Sequence, residues 1–287
     1  MTYRIAQISD AHLSRGKPYF AANFLRVGEH LAKARPDLVL SSGDMSLDGS
    51  ACEDDLAEGR RLHDALGLPV RFIPGNHDIG DGPDAPRHAG LPVITPELRT
   101  RYLQHFGPDY WHLDVPGWRI IAINAQLLGS DLGAAADQLR FVREATAGSA
   151  ERSIALFVHK PLFHLSADED SITGRFVNPL PRRQLWEAMA ENRPALVASG
   201  HVHQFLSHRP LGTHHVWAPS TGFVLPDERQ PLYGLKQTGY LEHRLHPDGA
   251  HESFLVTVPS LPTLSIADFP DAYAQYEQIK TSNGAHR

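Results

Sequence analysis

Seven oxygen- and nitrogen-bearing side chains follow directly on short apolar runs: Asp10, His12, Asp44, Asn76, His159, His201 and His203. Tyr3–Ile8 runs into Ser9-Asp10-Ala11-His12, and Asp37–Leu40 into Gly43-Asp44. Val70–Ile73 leads to Pro74-Gly75-Asn76-His77-Asp78, Ser153–Val158 to His159, and Ala195–Ser199 to Gly200-His201-Val202-His203. None of the seven is a thiolate. Mixed imidazole, carboxylate and amide donors suit Zn, Mn, Fe or Co, not Cu(I) or an iron–sulfur cluster. Seven candidates exceed the four of a closed structural zinc site and fit two divalent cations sharing one carboxylate. In an extended segment, Asp-x-His and His-x-His place alternate side chains on one side. Gly43, Gly75 and Gly200 allow the backbone to turn beside the cluster. Taken singly the blocks say little, since Asp10 and Asp44 can cap turns and a lone His159 can be a packed histidine. Five blocks, each at the end of a run, say more.

The elements that position these residues alternate. The apolar runs read as buried strands, joined by Trp118–Asn124. Between them, 20–35 and 53–66 carry helical periodicity, the latter with acids at its start and Gly67 at its end. Further helices are expected over 96–106, 133–147 and 181–193, and a C-terminal helix over 266–280. Strand–helix alternation implies an α/β fold. In such sheets ligands bind beyond the carboxyl ends of the strands, where all five blocks fall. The runs 214–218, 240–246 and 253–258 suggest further strands, close to a β-meander. Segments 78–96 and 160–181 read as long loops that serve as a lid or a dimer contact. A catalytic domain over 1–260 followed by a C-terminal helix and polar tail over 261–287 is the expected organisation.

Composition narrows the partners. The 287-residue chain has formal net charge −6, no run of five or six like charges and no basic stripe for a long nucleic acid. A small anionic substrate remains open. Cys52 is the single cysteine, which excludes an intrachain disulfide and a cysteine zinc cluster. The first residues lack the apolar stretch of a secretory signal, and no apolar run is long enough to span a bilayer. A cytoplasmic protein without a membrane partner is the expectation; a homo-oligomer is left open.

The blocks D-x-H, G-D, G-N-H-D, a lone H and G-H-x-H, in that order over about residues 4–205, resemble the calcineurin-like metallophosphoesterase superfamily. The run Gly43-Asp44-Met45-Ser46-Leu47-Asp48-Gly49 and the chain length look most like its bacterial cyclic-nucleotide and glycerophosphodiester phosphodiesterase branch. The resemblance implies a four-layer αββα sandwich of two mixed β-sheets flanked by helices. It implies one metal on Asp10, His12, Asp44 and His203, and another on Asp44, Asn76, His159 and His201, with Asp44 bridging. Both would be divalent (Mn, Fe, Zn or Co), and a hydroxide generated between them would attack phosphorus in line. By the same resemblance His77 contacts the phosphate or protonates the leaving group, and Asp78 orients His77.

The sequence departs from that branch after His159, where Lys160-Pro161-Leu162-Phe163 replaces a second histidine and two prolines. That departure touches the substrate, not the metal site. Asn76, His77, His164 and Arg175 are the candidate substrate contacts. The expected activity is hydrolysis of small phosphodiesters. A phosphomonoesterase is the competing expectation, with Lys160 and Arg175 as the extra cations a dianion needs. A binuclear hydrolase of the β-lactamase fold lacks its H-x-H-x-D-H block here. A noncatalytic scaffold would be expected to have lost ligands, and all seven are present.

Overall fold

The computed structural model describes residues 1–83 and 90–273. Two mixed sheets are packed face to face. The first has five strands in the order β11-β10-β1-β2-β3: β1 (Tyr3–Ile8), β2 (Leu38–Ser41) and β3 (Val70–Phe72) are parallel. β10 (Tyr240–Leu245) runs antiparallel to β1, and β11 (His251–Val256) antiparallel to β10. The second has six strands in the order β4-β5-β6-β7-β9-β8. Here β5 (Trp118–Ile123), β6 (Ser153–Val158), β7 (Leu196–Ser199) and β9 (His214–Trp217) are parallel. β4 (Trp111–Val115) and β8 (Leu206–His208) close the two edges antiparallel.

Alternation along each strand builds the layers, because neighbouring strand residues point to opposite faces. Ile5, Leu40, Ile120, Phe157 and Ala198 meet between the sheets with Trp118, Val216 and Leu241. Their neighbours face outward. Ala6, Ile8 and Val39 pack under α1 (Ala21–Ala34) and α2 (Glu53–Asp64), through Phe24, Val27, Leu31 and Leu62. Ile121, Leu156 and Val197 pack under α5 (Gly133–Ala147) and α6 (Pro179–Met189), through Val142, Leu185 and Met189. The order helix, sheet, sheet, helix is the expected sandwich. The short α3 (Asn76–Ile79) follows β3 directly. α4 (Pro96–Phe106) starts where the Thr95 hydroxyl accepts from Leu98 N at 3.2 Å, with Pro96 in its first turn.

Three expectations are corrected. The late strands form no meander: β9 joins the second sheet beside β7, whereas β10 and β11 join the first beside β1. β4 was not expected; it pairs with β5 through the tight Pro116-Gly117 turn. Over 266–273 the chain makes only a 3-10 turn at Ile266–Asp268. Pro270 has no N–H and forbids the continuation of a helix there. The rest of the expected C-terminal helix, 274–280, lies outside the described residues, as do 84–89 of the first long loop.

Candidate metal centre

The parallel strands β1, β2, β6 and β7 end at one edge, and each hands its chain to a ligand-bearing turn. Those turns are not extended. Asp10, His12, Asp44, His201 and His203 all take positive φ, between 47° and 66°. Left-handed backbone costs a non-glycine residue about 1–2 kcal/mol, and such strain collects where surrounding structure enforces a functional geometry. The alternate side chains therefore converge because each ligand residue sits at a kink, not because they share one side of a strand. The kinks are locked together: Asp10 N donates to Gly43 O and His12 N to Asp44 O, both at 3.0 Å. Gly75 and Gly200 serve close approach more than turning. A Cβ at Gly75 would strike the Asp44 carboxylate, and one at Gly200 would strike Ser9 and Asp10.

The donor atoms form two groups. In one, Asp10 Oδ1 lies 3.4 Å and His12 Nε2 lies 3.2 Å from His203 Nε2. In the other, His159 Nε2 lies 3.2 Å from Asn76 Oδ1, 3.2 Å from His201 Nδ1 and 3.4 Å from Asp44 Oδ2. Asp44 Oδ2 is also 3.8 Å from His12 Nε2, so it stands between the groups. Its Oδ1 accepts from His77 N at 2.8 Å, which fixes the carboxylate plane.

The distal ring nitrogens decide what these contacts are. His159 Nδ1 meets Ser42 O at 2.8 Å, His203 Nδ1 meets Phe223 O at 2.8 Å, and His201 Nε2 meets Gly174 O at 2.9 Å. A carbonyl only accepts, so each of these outer nitrogens carries a proton, and when the ring is neutral its inward nitrogen presents a lone pair. Asn76 Oδ1, His201 Nδ1 and Asp44 Oδ2 then all face His159 Nε2 at 3.2, 3.2 and 3.4 Å, and a single proton on that nitrogen cannot serve all three acceptors. Asp10 Oδ1 is buried without a hydrogen-bond partner. A divalent cation resolves both conflicts. Metal–nitrogen bonds of about 2.0–2.1 Å in a tetrahedron place ligand atoms about 3.4 Å apart, near the spacing found. The residues therefore fit a pair of cations, which Asp10, His12, His203 and Asp44 could hold on one side and Asp44, Asn76, His159 and His201 on the other.

Charge follows burial. Burial holds His12 and His201 well below the usual histidine range. Burial alone would lower His159 too, but the Asp44 carboxylate outweighs it and pushes His159 up to about 9. Burial disfavours the charged Asp44, yet the neighbouring histidines, His159 first, hold it well below the carboxylate range. In the metal-free protein one proton thus stands in for a cation between Asp44 and His159.

The family model for calcineurin-like phosphoesterases matches residues 3–205. The chain belongs to the calcineurin-like phosphoesterase family. It is 31% identical over 269 residues to a probable cyclic nucleotide phosphodiesterase of Synechococcus, covering 88% of this chain and 91% of that one. It is 28% identical over 260 residues to the 3′,5′-cyclic adenosine monophosphate phosphodiesterase CpdA of Pseudomonas aeruginosa, covering 87% and 88%. Among solved structures, a dimetal phosphatase from Danio rerio aligns with TM-score 0.58 at 12% identity, over 89% of this chain and 99% of that one. The purple acid phosphatase PPD1 of yellow lupin aligns with TM-score 0.61 at 14% identity, over 89% and 52%. At these identities the structures speak for the fold alone. As a calcineurin-like phosphoesterase, the chain is a metal-dependent phosphoric ester hydrolase of the phosphodiesterase-like branch.

Against that family frame the remaining expectations divide. All seven ligand candidates meet, and His77 stands beside them, its ring 4.8 Å from that of His12 and edge-on. Asp78 does not orient His77. Its carboxylate accepts from Ser46 N, Ser46 Oγ and Gly75 N at 2.9, 2.6 and 2.9 Å, while His77 Nδ1 turns to Leu47 O at 2.9 Å. Asp78 instead ties the turn after β2 to the turn after β3. His164 packs among Phe176, Trp217 and Tyr233. The Arg175 guanidinium donates to Arg229 O at 3.0 Å. Lys160 is buried and ion-paired with Asp81, so it joins the two long loops. Among the described residues no helix is long and apolar enough to cross a membrane. The supporting carbonyls of Ser42, Leu47, Gly174 and Phe223 were invisible in the sequence, since a backbone group carries no residue signature. Tyr273, whose hydroxyl lies 2.7 Å from His12 Nδ1, fell in a segment expected to be helical and uninvolved.

Proposed function

We propose that this chain is a binuclear metal-dependent phosphodiesterase for small phosphodiesters of the cyclic-nucleotide or glycerophosphodiester type. The observation that carries the reading is the pairing of two ligand groups through Asp44 with the nearby cations already committed. Lys160 is neutralised by Asp81, and the Arg175 guanidinium, though still charged, is tied by one N–H to Arg229 O. A dianionic monoester wants free positive charge beside the metals; a monoanionic diester does not. The names of the two relatives above, both cyclic nucleotide phosphodiesterases, support the same substrate class.

When bound, two divalent cations supply charge neutralisation at the phosphoryl oxygens and acidify the attacking water. The chain's own residues do the rest by positioning. Asn76 and His77 lie at the start of α3, at the rim of the ligand groups. His77 Nδ1 donates to Leu47 O and the ring stays partly exposed, so Nε2 is the nitrogen left to face the leaving oxygen, and a donor role there requires the imidazolium form.

The test is turnover of manganese-reconstituted protein on bis(p-nitrophenyl) phosphate, p-nitrophenyl phosphate and 3′,5′-cyclic AMP. Both diesters are expected to exceed the monoester in kcat/KM by an order of magnitude or more. A faster monoester reaction would replace this reading with a phosphomonoesterase. Absence of bound metal after growth in manganese- or zinc-supplemented medium would leave only a scaffold.

A further inference from the structure

Among the four ligand histidines, His12 alone breaks the pattern of support. His159, His201 and His203 each rest their outer nitrogen on a backbone carbonyl, and so does the neighbouring His77. His12 Nδ1 meets a side chain instead, the hydroxyl of Tyr273 at 2.7 Å. Tyr273 lies 261 positions later in the chain and beyond the residues matched by the family model, which end at 205. It is buried, and its ring stands 5.0 Å from that of His77 and 6.0 Å from that of His12.

The segment that brings Tyr273 to the site is held along its length. Val224 N donates to Leu264 O at 2.9 Å and Ile266 N to Val224 O at 3.1 Å, which docks it on the loop carrying Phe223. Phe269 packs on Tyr19 at 5.0 Å and on Phe20 at 5.4 Å. Tyr19 Oη donates to the Asp271 carboxylate at 2.5 Å, and Lys17 Nζ donates to Ala272 O at 3.3 Å. Lys17, Tyr19 and Phe20 lie between the Asp10-x-His12 turn and α1, so the C-terminal strap is fastened to the segment that follows the first ligand turn.

We propose that Tyr273 is a positioning residue for the metal centre. Its hydroxyl accepts the Nδ1 proton of His12 and thereby fixes Nε2 as the nitrogen presented to the cation shared with Asp10 and His203. A histidine whose outer nitrogen is unsupported can turn its ring or take the other tautomer, and loss of such partners weakens metal binding by about 10–100-fold. The proposal rests on the two-metal reading of the site.

The experiment is isothermal titration of chelator-stripped full-length protein with Mn²⁺, wild type against Tyr273→Phe. The substitution keeps the ring and removes the hydroxyl. One of two Mn²⁺ affinities is expected to fall about 10–100-fold, with the other within twofold. The melting temperature of the metal-free protein should be unchanged, which a role in packing alone would not give. The Co²⁺-substituted variant should show an altered visible spectrum for that site. A wild type that fails to take two metals sinks the site reading and this inference with it. A wild type that takes two, with Tyr273→Phe binding both as tightly, overturns the role of Tyr273 alone. Loss of both metals together with a lower metal-free melting temperature also overturns it, in favour of plain packing.

Discussion

At the scale of single residues, Asp44 carries the most. One carboxylate oxygen is pinned by His77 N at 2.8 Å, and the other faces His159 at 3.4 Å and His12 at 3.8 Å. Asp44→Ala is expected to reduce bound metal from two equivalents to fewer than one and to lower kcat by 10³ or more; full loading by elemental analysis would contradict the bridging role. His77→Ala should keep both metals. It should slow diesters with poor leaving groups far more than bis(p-nitrophenyl) phosphate, because the lost proton donor matters only when the leaving oxygen is basic. An equal loss on both would argue against that role. His159 supplies a sign for metal binding. With its proton held up to about 9 in the metal-free protein, a cation must displace that proton at neutral pH. Apparent Mn²⁺ affinity should therefore rise as pH increases from 7 to 9, and about one proton should be released per binding event in weak buffer at pH 7. A pH-independent affinity over that interval would show that His159 is already neutral.

At the scale of elements, the site is a set of strand ends tied to one another, and Asp78 is the knot between two of them. Asp78→Ala leaves three buried donors on Ser46 and Gly75 unpaired. At about 1–3 kcal/mol for each such group, a loss of roughly 3 kcal/mol or more is expected from urea unfolding of the metal-free protein. A stability change below about 1 kcal/mol would mean that water replaces the carboxylate. Asp78 also shows what the sequence carried and what it did not. The ligands were legible because each follows a buried run, and a buried parallel strand can deliver chemistry only at its end. Helices α4 and α5 and strands β1 and β6 fall where periodicity placed them, because their apolar spacing matches the faces they bury. The partner of Asp78 was misassigned since adjacent residues of a helical turn such as α3 do not face each other. The late strands were misjoined because an antiparallel run does not state which sheet it completes, and the C-terminal helix was overextended across Pro270. Left-handed ligand residues left no trace either: Asp and His tolerate that backbone without advertising it.

At the scale of the whole molecule, burial of neutral histidines sets the response to acid. His63 is enclosed between Ser41 Oγ and Gly59 O, and His243 between Ser253 Oγ and Gln7 Oε1. Burial lowers them to about 4 and about 3, and lowers His214 and His215 to about 4 and about 3. Each folded value lies below that of an unfolded histidine, near 6.5. Between those limits the unfolded chain binds more protons than the folded one, so stability is intact above about 6.5 and falls as pH drops towards 3–4. His12 and His201 act in the same sense. Asp78, pushed up to about 6 by burial and by Asp44, opposes them between about 4 and 6, one group against several. His159 acts elsewhere, adding stability below about 6.5 that is lost as pH rises through 9. Each fully buried histidine contributes a slope of up to about 1.4 kcal/mol per pH unit, so His63 and His243 together remove up to about 7 kcal/mol between pH 6.5 and 4, comparable with the lower part of a typical stability of about 5–15 kcal/mol. The metal-free protein should therefore unfold cooperatively in mild acid, near pH 4, without any contribution from metal loss. The deciding measurement is urea unfolding in chelator from pH 7 to 4.5, wild type against His243→Gln. The variant is less stable at pH 7, since it loses a packed ring, but its stability should fall less steeply with acid because one group no longer has to charge. Parallel slopes for the two proteins would mean that His243 takes up its proton inside the folded core, and that acid sensitivity belongs to the ligand cluster instead.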